Sequence, residues 1–343
     1  MKVLLIGGTG TISAAISKRT VADGHELYLL NRGNRTHAIP VGAVSLVADI
    51  EEEETVAELI RDLEFDVVAD FIAFSKDQVE RDYRLFRGKA KQYIYISSAS
   101  AYQKPLSNFR IAEGTPLSNP YWEYSRNKIE CEEFLMHKYR EAGFPVTIVR
   151  PSHTYDERSI PLGVHGSNGS WQIAKRMLEG KTVIIHGDGT SLWTMTHNSD
   201  FAAGFTGLMG NIHAIGEAVQ ITSDESVTWN QVYQAIADAL GVELKAVHVS
   251  SEFLASCSDY DLQGSLIGDK ANSVVFDNTK LKTLVPGFKA VKRFDEGIRE
   301  TVRYIREHPE CQKEDICFDQ WCDAVIAALS EASESVRNKI GGK

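Results

Sequence analysis

The chain has 343 residues, 43% of them apolar, and a formal net charge of −10. That length suits one large α/β domain with an appended lobe, or two domains. The acidic balance argues against a protein whose main task is to grip a phosphate backbone, because such a grip needs clustered Lys and Arg.

Val3-Leu4-Leu5-Ile6 is a short apolar run ended by glycine and reads as a buried strand. Gly7-Gly8-Thr9-Gly10-Thr11-Ile12-Ser13 is a glycine-rich turn. After it, Ile12, Ala15, Ile16, Arg19 and Thr20 fall at helical spacing before a stop at Asp23-Gly24. Strand, turn and helix together make a phosphate site: the helix start offers N–H groups and partial positive charge, and glycine lets the backbone approach a pyrophosphate. The spacing Gly7-x-x-Gly10-x-x-Ser13 is close to the dinucleotide fingerprint, with serine at the third glycine. Gly7, Thr9, Gly10, Thr11 and Ile12 are therefore expected around the cofactor phosphates.

A second strand over 25–30 ends at Asn31 and Arg32, with Arg35 close by. An NAD-preferring site carries an acidic residue there for the ribose 2′-hydroxyl. A carboxylate would repel a 2′-phosphate, whereas guanidinium groups pair with it, so the expected cofactor is NADP in preference to NAD. Strands over 43–48, 66–72 and 92–97 alternate with helices over 52–63 and 76–87. That alternation predicts a parallel sheet covered on both faces. Ligands of such sheets lie beyond the carboxyl ends of the strands. Arg32, Asp49, Phe71 to Ala73 and Ser97-Ser98 would then line one crevice, with Ile50 beside Asp49 at the end of its strand.

Residues 103–119 read as loop, 120–141 as a long helix, and 144–150 as a sixth strand broken at Pro151. The Gly/Ser/Asn-rich stretch 156–169 is expected to be a mobile loop over the crevice. Helices near 170–179, 199–209 and 228–240 then alternate with strands near 182–186, 217–222 and 244–249. The expected organisation is a dinucleotide-binding domain over 1–155, mainly a substrate lobe over 156–307 with some segments returning to the first domain, and a helical extension over 308–343.

Tyr124-Ser125-Arg126-Asn127-Lys128 carries the sharpest catalytic signal. Positions i and i+4 share a helix face, so phenol and ammonium would point into the same space. A free tyrosine titrates near ~10 and is protonated at neutral pH; bringing it to neutrality takes roughly 4 kcal/mol of differential stabilisation. A partly desolvated lysine and a nicotinamide cation could supply it, which would make Tyr124 a general acid/base. Ser98, at the end of the strand over 92–97, could polarise a substrate carbonyl.

The sequence resembles an extended or atypical short-chain dehydrogenase/reductase of the NAD(P)-dependent epimerase/dehydratase family. The likeness runs over about residues 1–300 and rests on the glycine turn at 7–13, Asp49-Ile50, Ile96 to Tyr102, Tyr124 to Lys128 and Val149-Arg150-Pro151. It continues through His186 to Thr190, His197 with Asp200-Phe201-Ala202, and Asp277 to Leu281. The resemblance implies a Rossmann-type doubly wound sheet with a smaller C-terminal α/β substrate lobe. It implies Tyr124 as acid/base, Lys128 on the nicotinamide ribose, and Ser98 orienting a substrate hydroxyl or carbonyl. Pro151 and His153 would border the nicotinamide, and hydride would pass to or from a sugar-like carbon. Homodimers are common in the family, with the helices over 76–87 and 120–141 pairing across a two-fold.

The chain departs from the family pattern in three places. Ala99 and Ser100 replace the Asp-Glu pair of the 4,6-dehydratases, Trp193 stands where epimerases bring an arginine to a diphosphate, and Tyr155-Asp156 replaces Tyr-Gly. The pattern is similar to an atypical branch that includes plastid RNA-associated homologues. Two alternatives follow: an RNA-binding protein or ribonuclease on the same scaffold, and a regulator that senses NADP without chemistry. Five scattered cysteines without a CxxC pair fit a reducing compartment. No secretory signal or membrane-length apolar run is visible, so the expectation is a cytoplasmic protein without a structural metal, acting on a small molecule.

Overall fold

The computed structural model describes residues 1–341. In chain order its first part consists of β1 (Lys2–Ile6), α1 (Ser13–Ala22), β2 (Glu26–Asn31), β3 (Val44–Val47), α2 (Glu53–Leu59), β4 (Val67–Asp70), α3 (Lys76–Phe86) and β5 (Tyr93–Ile96). Next come β6 (Arg110–Ile111), α4 (Glu123–Ala142), β7 (Val146–Pro151) and β8 (His153–Tyr155). The remainder holds α5 (Trp171–Leu178), β9 (Val183–His186), β10 (Leu192–Trp193), β11 (Met195–His197), α6 (Asn198–Leu208), β12 (Ala218–Ile221) and β13 (Val227–Thr228). It closes with α7 (Trp229–Leu240), β14 (Ala246–Val249), α8 (Ser251–Ser256), a π-helix (Gln263–Lys270), β15 (Val275–Phe276), α9 (Thr279–Leu284), α10 (Phe294–Glu307) and α11 (Ile316–Gly341).

The chain forms two compact units. The first comprises Met1–Asp156, Thr194–Ser226 and Val274–Lys292. Seven strands form its sheet in the order β12-β7-β5-β4-β1-β2-β3, every neighbouring pair parallel. This is the doubly wound α/β arrangement that the alternating pattern predicts. β4, β5 and β7 are buried along their whole length, as strands covered on both faces must be. One face packs Ile16 of α1 and Phe201, Phe205 and Leu208 of α6 against Val3, Leu5, Ala69 and Val149. The other packs Val56 of α2, Val79 of α3, and Cys131 and Leu135 of α4 against Leu4, Ile6, Val68 and Tyr95.

The second unit comprises Glu157–Trp193, Val227–Ser273 and the chain from Arg293 onward. Its strands pair two by two, β14 parallel to β9 and β10 antiparallel to β13. Trp229, Val232, Tyr233 and Ile236 of α7 and Ile298, Val302 and Ile305 of α10 are buried at helical spacing. The segment read as a mobile loop over 156–169 is instead anchored, because Ile160, Leu162 and Val164 are all buried. The Asn168 N–H also donates to Asp315 Oδ2 at 3.1 Å. β7 runs through Pro151 rather than breaking before it. Pro151 sits at the last pairing of β7, opposite Ile221, where a missing N–H interrupts little of the ladder. In the 308–343 stretch α11 is the main element, and residues 342 and 343 lie outside the described residues.

Candidate active site

The glycine turn between β1 and α1 is built by its own side chains. Ser13 Oγ accepts the Gly10 N–H at 2.9 Å and donates to the Gly7 carbonyl at 2.8 Å. Ser17 Oγ donates to the Gly8 carbonyl at 2.7 Å. Serine in place of the third glycine thus ties the turn shut. Gly7 has φ +84°, and a Cβ there would lie 2.5 Å from Ile72 Cγ2; a Cβ on Gly8 would collide with Leu29. No side chain caps the start of α1.

Above this turn lies a cavity of about 720 Å³. Of the expected cofactor residues, Gly7, Thr9, Gly10, Asn31, Arg32, Arg35, Asp49 and Ile50 line it. Leu30, Asn34, Ala48, Glu51, Ile72 and Phe74 complete the wall. Asn31 Oδ1 accepts the Gly33 N–H at 2.8 Å, while its buried Nδ2 has no partner. An orphaned amide donor at the end of β2 is a group that a ribose or phosphate oxygen would satisfy. Arg32 and Asp49 approach at 4.0 Å, Arg32 largely solvent-exposed and Asp49 partly so. A glycine cradle, an orphaned donor and two guanidinium groups fit an adenine dinucleotide.

Thr11, Ile12, Phe71, Ala73, Tyr124, Lys128, Pro151 and His153 are not on this wall, and neither is Ser98. Ile12 packs against the α1/α6 side of the core, and Phe71 does the same, its ring 5.6 Å from Phe205. Ala73 is buried. Within the expected span 71–73, Ile72 faces the cavity while Phe71 and Ala73 do not, and Phe74, just beyond the span, does. Asp70 explains the phase. Its Oδ1 accepts the N–H groups of Ile72 and Ala73 at 2.6 and 3.2 Å, so the chain turns at once after β4. Asp70 in turn faces Asp82 of α3; burial, then the charge of Asp70, holds the Asp82 carboxyl well above the usual carboxylate range. Pro151 is paired into the sheet, and His153 pairs with Met195.

Tyr124 and Lys128 sit on α4, and Phe74 joins them to the cavity. The Phe74 ring is 6.2 Å from the Tyr124 ring, and Lys128 Nζ lies 4.5 Å from the Phe74 centroid and 5.8 Å from that of Tyr124. Trp122 closes the other side of Tyr124 at 4.9 Å. Lys128 is 2% exposed. Its ammonium donates to the Ala73 and Ile96 carbonyls, both at 2.8 Å, and burial pulls its pKa down to about 8. Ala73 thus enters the site as a carbonyl that positions the lysine. Ser98 stands at the end of β5, where its Oγ accepts the Ser100 N–H at 3.1 Å and lies 2.9 Å from Ser100 Oγ. Neither the Lys128 carbonyl anchors nor Phe74 had a signal in the sequence beyond proximity to a strand end.

The sequence profile described as the NAD dependent epimerase/dehydratase family matches residues 3–221. The chain is 23% identical over 255 residues to 2′-dehydrokanamycin reductase of Streptomyces kanamyceticus, covering 74% of this chain and 71% of that protein. It is 27% identical over 263 residues to the chloroplast stem-loop binding protein of 41 kDa b of Arabidopsis thaliana, covering 72% and 65%. Among solved structures, the fold is similar to Thermus thermophilus UDP-glucose 4-epimerase in complex with NAD (TM-score 0.68, 22% identity, 90% of this chain and 100% of that one). It is also similar to Pal from Bacillus thuringiensis (TM-score 0.71, 18% identity, 90% and 99%). No helix among the described residues is long and apolar enough to cross a membrane.

Proposed function

The chain belongs to the NAD dependent epimerase/dehydratase family, and from that premise we propose that it is an NADP-dependent oxidoreductase or epimerase of a sugar-like, nucleotide-linked or free, small molecule. The observation that carries the proposal is Phe74, which lines the dinucleotide cavity and at the same time packs on Tyr124 and Lys128. When bound, the cofactor supplies a nicotinamide carbon that takes or returns a hydride.

Every other part falls to the chain. The glycine turn and the start of α1 hold the pyrophosphate, and Arg32 and Arg35 hold the 2′-phosphate that distinguishes NADP. Lys128 keeps a cation beside Tyr124 at neutral pH, since its pKa of about 8 leaves it mostly protonated there. That charge favours phenolate, so the Tyr124 hydroxyl can pass its proton to or from the reacting oxygen. Ser98 donates to the same oxygen. Ala99 and Ser100, in place of two carboxyl groups, leave no acid/base pair for 4,6-dehydration and favour simple hydride transfer. We further propose a cytoplasmic homodimer, to be checked by localisation and by light scattering.

The test is calorimetry with NADP and NAD, followed by turnover of a panel containing UDP-glucose, UDP-glucuronic acid, dTDP-glucose and ketone forms of aminoglycoside sugars. NADP should bind at least about tenfold more tightly than NAD, the worth of one charge-assisted contact, and Arg32→Ala should erase that margin. Tighter NAD binding would refute the role of Arg32. Salt-sensitive RNA binding without cofactor turnover would move the assignment to an RNA-binding scaffold.

A further inference from the structure

Behind Ser98 lies a short file of hydroxyls that the acid/base reading does not use. Ser125 Oγ, on α4 and fully buried, donates to Ser100 Oγ at 2.8 Å. Ser100 Oγ is 2.9 Å from Ser98 Oγ, and the Ser100 N–H reaches the same Ser98 oxygen at 3.1 Å. Asn119 holds the middle of the file, its Nδ2 donating to the Ser100 carbonyl at 2.9 Å. Ser100 is 3% exposed.

A hydroxyl has one proton and two acceptor positions. Ser100 already accepts from Ser125, so its own proton has Ser98 Oγ as its acceptor; pointed elsewhere it would be a buried donor without a partner. Ser98 then accepts twice, from the Ser100 hydroxyl and the Ser100 N–H. Both its acceptor positions are used, and only its O–H remains for a ligand.

We propose that Ser100 and Ser125 are positioning residues that fix the Ser98 hydroxyl as an obligate hydrogen-bond donor toward the substrate oxygen. The device selects carbonyl or alkoxide oxygens at this point and disfavours a ligand group that must donate to Ser98. It rests on the assignment of Ser98 to the substrate site, but the proton directions do not depend on it.

Neutron diffraction from crystals of the wild-type protein exchanged into heavy water reads those directions without any substrate. The expected deuterons lie on Ser125 Oγ toward Ser100, on Ser100 Oγ toward Ser98, and on Ser98 Oγ away from both. A deuteron on Ser98 aimed at Ser100 overturns the proposal even if the protein proves to be an oxidoreductase. With the compound of the panel above that turns over fastest, Ser100→Ala should lower kcat about tenfold, the kinetic equivalent of one hydrogen bond, with KM changed less than twofold. Ser125→Ala should act in the same direction. Thr20→Ala, which removes a buried hydroxyl bonded to the Ile16 carbonyl within α1, should leave kcat in place. Equal losses in all three variants, or losses confined to KM, would show a packing role and refute the proposal.

Discussion

Lys128 shows how much of the site depends on the surroundings of single side chains. Two carbonyls and three aromatic rings surround an ammonium whose pKa burial pulls down to about 8. The phenol beside it is the group that should matter most to turnover. Tyr124→Phe is expected to lower kcat by about 10²-fold or more while leaving the Kd for NADP within twofold, as measured by steady-state kinetics and calorimetry. Silence of this variant would favour a sensor of NADP over an enzyme. A second residue, His186, carries a pH dependence of stability. It is buried against Trp229 at 4.8 Å, and burial pulls its pKa down to about 4. The unfolded chain, with an ordinary histidine, binds a proton through pH 6.5 that the native state refuses until about pH 4. Stability contributed by the neutral ring is therefore lost as pH falls across that window. Urea unfolding should lose about 2 kcal/mol between pH 7 and pH 5, and His186→Gln should flatten the change. Both Tyr124 and His186 are conspicuous in the sequence, but the partners that set their chemistry are not.

At the scale of elements, the joint between α4 and β7 is the one to test. Arg150 and Glu132 form a two-pronged pair at 2.9 and 2.6 Å, with both side chains about 5% exposed or less. Removing one partner strands the other charge. Glu132→Ala should lower the unfolding free energy by about 3–5 kcal/mol in chemical denaturation, and Glu132→Gln by less, because a hydrogen bond to Arg150 survives. α4 matters twice, since it carries Tyr124, Ser125 and Lys128 on its inner side and Glu132 one turn beyond. The helix itself was legible from its length and spacing. Its interior ion pair was not, because sequence spacing relates residues along one element and Arg150 lies on another. The same reason explains 156–169: glycines and serines there suggest freedom, while the whole run from Ile160 to Val164 is buried.

For the molecule as a whole, ligand linkage offers the broadest check. A ligand that binds only the folded form at a hundred times its Kd raises the unfolding free energy by about 2.7 kcal/mol. NADP should raise the melting temperature of the first unit in calorimetry by more than NAD at equal concentration; equal shifts would remove the preference argued from Arg32 and Arg35. The alternation of strands and helices through β5, the parallel sheet, the glycine turn and the i,i+4 spacing of Tyr124 and Lys128 were readable from the sequence, because hydrophobic period, glycine and i,i+4 spacing are local quantities. Which of two neighbouring residues faces the cavity, as with Phe71 and Ile72, was decided only by the Asp70 turn in three dimensions. So was the return of 194–226 and 274–292 to the first unit, and so was the file from Ser125 through Ser100 to Ser98. These depend on contacts between residues far apart in the chain, and close packing, not local preference, selects among them.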